Sequence, residues 1–177
     1  NWTEMNYPTT ARNKTWVQCK YIDFGGDEGG KFIAITDSEA DTHKILMSRD
    51  GKEWFTKELP NVTGKWRHIA AGYIGGEYNR VVLVLVSYEG IGDRIVTSID
   101  GENYVVRDLK FGGKFKGVKY INFNETGDDY TEIEQDGNKY GFVNRGFLVY
   151  GEAYNGQLGL FYSCNANDWL ACEPTDA

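Results

Sequence analysis

"ILMSRDGKEW" at residues 45–54 and "IVTSIDGENY" at residues 95–104 decide the fold of this chain. Each reads as strand-forming residues, then Ser, then a short polar turn, then an aromatic residue six positions after the Ser. The shared pattern is S-x-D-G-x-x-[WY], carried by Ser48, Asp50, Gly51 and Trp54 and again by Ser98, Asp100, Gly101 and Tyr104. A degenerate third copy, "LFYSCNANDW" at residues 160–169, keeps Ser163 and Trp169 but has Asn165 for Asp and Ala166 for Gly. In such a turn the Asp accepts hydrogen bonds from its own turn's backbone N–H groups, and Gly supplies a positive φ. The aromatic residue is expected to pack under the turn between neighbouring sheets.

Working outward, the upstream segments recur too. "WVQCKYIDF" (16–24), "WRHIAAGY" (66–73) and "FKGVKYINF" (115–123) each begin with an aromatic residue. "NRVVLVLV" (79–86) parallels "NRGFLVYG" (144–151) and, more loosely, "GGKFIAIT" (29–36). Four short strands in a unit of roughly 50 residues, with turn signals between them and no helical period, indicate a β-propeller blade. The expected fold is all-β: one β-propeller-like domain of four-stranded antiparallel meanders over 1–177. Blade 1 covers about 15–60, blade 2 about 65–110 and blade 3 about 114–174. The opening "NWTEMNYP" repeats the Trp-to-Pro spacing of "WFTKELP" (54–60), so residues 1–8 read as a leading strand, the last of another blade. Propellers typically have four to eight blades. The expectation is therefore a partial propeller, completed by further blades of the same gene product or of another chain.

The turn pattern resembles the Asp-box (BNR-type) turn of sialidase-like β-propellers, in the compact form found in secreted and phage virion proteins. That resemblance implies an extracellular or virion-surface location and a structural role for the turn. Sialidases of this family carry three arginines that grip a carboxylate, a Tyr/Glu nucleophile pair and an acid Asp. The arginines here are Arg12, Arg49, Arg67, Arg80, Arg94, Arg107 and Arg145. Arg49 lies inside a turn, Arg80 and Arg145 stand at equivalent places in the second-strand repeats, and no Arg precedes Ile-Pro. No G-x-S-x-G motif occurs, and His43 and His68 read as a loop and a strand residue. The chain is thus expected not to be an enzyme. The alternative is a fragment of a sialidase-like glycoside hydrolase whose catalytic residues lie elsewhere.

A net charge of −7 argues against phosphate-driven nucleic-acid binding, and no apolar run is long enough to insert in a membrane. The Gly-rich "FGGDEGGKF" (24–32) fits no nucleotide-binding fingerprint, since no helix follows, so no cofactor is expected. Cys19, Cys164 and Cys172 form no metal-ligand spacing. Cys164 and Cys172 flank one turn and are placed to bridge, leaving Cys19 free; alternatively all three are small buried hydrophobes.

Tyr73, Tyr78, Tyr88, Tyr130 and Tyr154 are candidate contacts for a glycan or a protein receptor, because exposed aromatic rings stack on sugars. Asn1, Asn13, Asn61 and Asn124 stand in N-x-T sequons at or beside predicted loops. Within blade 3, residues 125–141 carry Glu125, Asp128, Asp129, Glu132, Glu134 and Asp136 against Lys139 alone. Alternation around Asp136-Gly137 reads as an inserted, exposed hairpin. Its carboxylates lack the order of a calcium loop, so no metal is expected.

Overall fold

The structure is a computed structural model that describes residues 8–9, 14–36, 44–59, 64–74, 80–90, 94–109, 113–122, 130–135, 138–143, 145–153 and 155–172. The proposed leading strand over 1–8 lies outside them except for Pro8. So do Asn1, Asn13, Asn61, Asn124, His43, Tyr78 and Tyr154.

The chain is all-β, with a short 3-10 turn at Gly26–Glu28. Blade 1 comprises β1 (Trp16–Asp23), β2 (Gly30–Thr36), β3 (Lys44–Ser48) and β4 (Phe55–Glu58). Blade 2 comprises β5 (Gly64–Ile74), β6 (Arg80–Gly90), β7 (Arg94–Ser98) and β8 (Val105–Asp108). In blade 3 the first strand is β9 (Gly113–Asn122). The hairpin β10 (Tyr130–Gln135) and β11 (Asn138–Val143) follows, then β12 (Arg145–Ala153), β13 (Leu158–Ser163) and β14 (Leu170–Ala171). Each blade is a four-stranded antiparallel meander, and β10 and β11 form a separate two-stranded sheet. These are the expected propeller-type blades.

Alternation along the strands explains how the blades stack. Successive side chains of a strand point to opposite faces. In "VVLVLV" of β6, Leu83 and Leu85 join Ile33, Ile35, Ile45 and Met47 of blade 1 in one core. Val82, Val84 and Val86 join Phe115, Val118, Phe147 and Val149 of blade 3 in a second core. Both faces of blade 2 are therefore buried, which is why this strand is apolar at every position rather than at alternate ones. Trp66, at the start of β5, is completely buried in the first joint. The second joint needs a bare backbone. A Cβ at Gly72 would be driven into the ring of Tyr120, whose hydroxyl donates to the Tyr73 carbonyl at 2.7 Å.

Register corrects one reading of the repeat. The turn serines pair with Phe32, Leu83 and Phe147 on the second strands. Aligned on these pairs, Arg145 matches Val81 rather than Arg80. The recurring Asn-Arg dipeptide is thus offset by one residue between blades 2 and 3. Because strand side chains alternate, Arg80 and Arg145 leave opposite faces of their own sheets. Arg80 lines the blade 2–blade 3 groove, and Arg145 lies 5.5 Å from the Tyr73 ring centroid.

The cysteines correct another. All three are free thiols. Cys19 and Cys172 are exposed and Cys164 is half-buried, so they neither bridge nor fill the core. Cys19 lies on the face of β1 opposite to the buried Ile22, which explains its exposure.

Candidate functional site: the groove between blades 2 and 3

The turns come first, because they build the walls of the site. In turn 1, Asp50 Oδ1 accepts from the Lys52 and Glu53 amides at 2.8 and 2.9 Å. Ser48 Oγ accepts from the Gly51 amide at 2.8 Å. Trp54 Nε1 closes the turn by donating to the Gly51 carbonyl at 3.1 Å. Turn 2 repeats this pattern. Asp100 Oδ1 accepts from the Glu102 and Asn103 amides, both at 2.7 Å, and the Tyr104 hydroxyl donates to the Gly101 carbonyl at 2.7 Å. Gly51 and Gly101 have φ of 73° and 72°.

In turn 3, Asn165 Oδ1 accepts from the Asn167 and Asp168 amides, both at 2.8 Å. Ala166 holds a positive φ of 58°, and Trp169 Nε1 is buried with no partner among the described residues. The Asn therefore reproduces the turn's two amide bonds, and Trp169 packs on the second core without a ring N–H bond to the turn among the described residues.

These bonds set the charge states. The amides of Glu53 and Lys52 hold the Asp50 carboxyl below its ordinary range. Burial pushes the Asp100 carboxyl upward, but the Asn103 and Glu102 amides, the Asn103 side chain and Ser98 outweigh it and leave it lowered. Burial, reinforced by the charges of Glu102 and Asp100, raises the Tyr104 phenol far above its ordinary value.

The two joints differ at the turn end. Between blades 1 and 2 the space is full. Lys31, completely buried, reaches Glu28 at 2.8 Å, Glu102 at 3.4 Å and the Asp100 carbonyl at 2.5 Å. Glu102 also meets Lys57 at 3.3 Å and Arg49 at 3.6 Å. A Cβ at Gly101 would lie 2.9 Å from Phe24 and 3.2 Å from Lys31.

Between blades 2 and 3 the register places Val82 where Lys31 stands, Ile74 where Phe24 stands, and neutral Asn167 where Glu102 stands. The shorter side chains leave a cavity of about 350 Å³, and its lining includes Arg80, Asn103, Arg107, Asn165 and Asn167 above Ile74 and Val82. They also make room for the methyl of Ala166. Arg107 takes the place of Lys57 and donates to Asn167 Oδ1. Its Nε is buried with no partner among the described residues.

The groove thus presents the Arg107 guanidinium and amides over an apolar floor, with Arg80 also in its lining. Asp100 also lines it, but its carboxylate is engaged: Oδ1 by the turn amides and Oδ2 by Asn103 Nδ2 at 2.7 Å.

Tyr73 and Tyr88, the singled-out tyrosines whose side chains are described, do not line it. Tyr73 lies half-buried in the joint beneath Arg145, and Tyr88 is covered by the Arg67 guanidinium at 4.4 Å, with the Lys114 ammonium at 6.0 Å. Tyr130 is on β10, and its side chain lies outside the described residues. His68, on β5, is half-buried. Burial, then the neighbouring Arg67 charge, lowers its pKa.

Arg80 and Arg107 went unrecognised as a site in the sequence. The missing signal was the exchange of Lys31 for Val82 across blades, which becomes legible only once the register is known. The chain matches no protein-family model, no curated protein and no solved structure.

Proposed function

We propose that the chain is a non-enzymatic binding module of the Asp-box propeller kind, working outside the cell or on a virion surface. In this reading the groove between blades 2 and 3 takes a small carboxylate-bearing ligand such as an acidic sugar. The observation that carries it is the electrostatic difference between the joints. The first holds Lys31, Lys57 and Arg49 against Glu28 and Glu102. At the matching place the second sets Arg107 against Asn167. A carboxylate supplies the anion that the described residues do not place beside Arg107, and guanidinium groups bind carboxylates through paired N–H donors. Ile74 and Val82 give the apolar face of a sugar ring a surface to lie on.

Binding rather than catalysis is supported by what the polar groups already do. The Asp100 carboxylate is held by its turn, which leaves it poorly placed to carry a proton to a ligand. The test is an NMR titration with glucuronate and with glucose. The reading expects glucuronate alone to shift the signals of Arg107, Asn103 and Asn167, and Arg107→Gln to abolish the shifts while the fold is retained. Equal shifts with glucose, or none with either sugar, would sink it.

A further inference from the structure

The groove does not end at Arg107. Arg107 and Asn167, joined by their hydrogen bond, also line a second cleft of about 430 Å³ on the β8 and β14 side of the same joint. Its other walls include Leu109 of blade 2 and Phe161, Asp168 and Trp169 of blade 3. The two hollows share a wall, and each has the size of an ordinary ligand site, about 300–1,000 Å³.

In the first joint the matching residues close up. Register sets Lys57 where Arg107 stands, Leu59 for Leu109, Val96 for Phe161 and Tyr104 for Trp169. Leu59 and Val96 are buried, and Lys57 meets Glu102 at 3.3 Å. The Tyr104 hydroxyl donates to the Gly101 carbonyl and lies 3.6 Å from the Met47 sulfur. In the second joint Leu109, Phe161 and Trp169 are only half-buried, at the edge of the second core. The positions that fill one joint are left partly open in the other.

The polar groups say what the cleft suits. Asp168 is exposed; its Oδ2 accepts from Asn165 Nδ2 at 2.8 Å, and its Oδ1 has no partner among the described residues. An ionised carboxylate only accepts hydrogen bonds, so it favours hydroxyl groups and repels a second negative charge. Trp169 Nε1 and Arg107 Nε are both buried with no partner among the described residues. Unsatisfied buried donors are uncommon, and both of these belong to residues of this cleft. An aromatic wall beside a carboxylate acceptor fits a neutral sugar, whose C–H face packs on the ring while its hydroxyls donate to the carboxylate.

We infer that the site takes an acidic disaccharide unit, one uronic acid joined to one neutral sugar. The inference rests on the groove being a carboxylate site. The carboxylate of the uronic acid lies at Arg107, with its ring over Ile74 and Val82. The neutral ring occupies the second cleft against Trp169, within reach of Asp168, whose charge disfavours a second uronic acid there.

NMR titrations test this with glucuronate, with glucuronosyl-glucose in its 1,3- and 1,4-linked forms, and with a disaccharide of two glucuronates. Glucuronosyl-glucose in one linkage should bind about tenfold more tightly than glucuronate, the gain expected from burying one ring face. It should also move the Trp169 indole signal, which glucuronate leaves in place. The diuronate should gain nothing over glucuronate. Trp169→Leu should cancel the tenfold gain and leave glucuronate binding as it was. Asp168→Asn, at an exposed position, should let the diuronate bind as tightly as the mixed disaccharide, and it decides alone if Trp169→Leu does not fold. Glucuronate binding with no gain from the second sugar would overturn this inference and leave the groove reading standing. No binding by any of the sugars would overturn both. A gain that survives Trp169→Leu, or a diuronate that Asp168→Asn does not help, would place the second ring elsewhere and overturn the inference.

Discussion

Asp100 and Asn165 do the same work with different charge. Each offers one oxygen to two consecutive amides. Hydrogen bonds to an ionised acceptor are about twice as strong as neutral ones. Asp100→Ala should therefore cost about 1–3 kcal/mol and Asn165→Ala about half that, measured by urea denaturation. Equal losses would show that charge adds nothing at these turns. Ala166 supplies a second comparison. It holds a left-handed φ that suits glycine, and it is buried in the second core. Ala166→Gly should stabilise the chain by about 1 kcal/mol through relief of that strain. Gly101→Ala should destabilise it, because the new Cβ meets Phe24 as well as an unfavourable φ. Opposite shifts in melting temperature are the expected readout.

At the scale of elements, the hairpin β10–β11 belongs to no blade sheet. Among the described residues its strands pair only with each other, from Tyr130 opposite Val143 to Gln135 opposite Asn138. Replacing residues 125–143 with a short Gly/Ser turn between β9 and β12 should leave the melting temperature within a few degrees. A large loss would mean that the hairpin supports blade 3.

The blades were readable in the sequence because two turns announce themselves through Ser, Asp, Gly and an aromatic residue, and the third keeps the Ser and the aromatic. The strands around them alternate or, in β6, run apolar throughout. The offset of the second strands was not readable. The dipeptides Asn79-Arg80 and Asn144-Arg145 invite an alignment that hydrogen bonding to the turn serine overrules. The groove was hidden for a related reason. It results from what is short on one blade and neutral on the next, and no local motif records that.

For the whole molecule, pH acts through groups with lowered pKa values. Asp50 and Asp100 are more acidic folded than unfolded. Their contribution is therefore complete above the ordinary Asp value of about 4 and is lost as pH falls through the lower folded value. His68 also has a lowered pKa, so the folded chain prefers it neutral. Its contribution is complete above about pH 6.5 and declines as pH falls below that. Acid unfolding should thus begin with a shallow loss of stability below pH 6.5 and steepen below pH 4. His68→Phe, which fills the site without titrating, should remove the shallow part alone. Melting temperature measured every half pH unit checks both.

Blade 2 shares a core with each neighbour, while among the described residues the two end blades share cores only with blade 2. Opening either end blade therefore sacrifices one joint, whereas opening the middle one sacrifices both. Local unfolding should run inward from the ends. Amide protons of Val82–Val86 should exchange with solvent deuterium only in global unfolding, whereas those of β4 and β14 should exchange by fraying. A protease given limited time should cut within an end blade and leave a resistant two-blade body that always contains β6. The sequence that reads as the plainest run of aliphatic residues is, kinetically, the last part of the chain to let go.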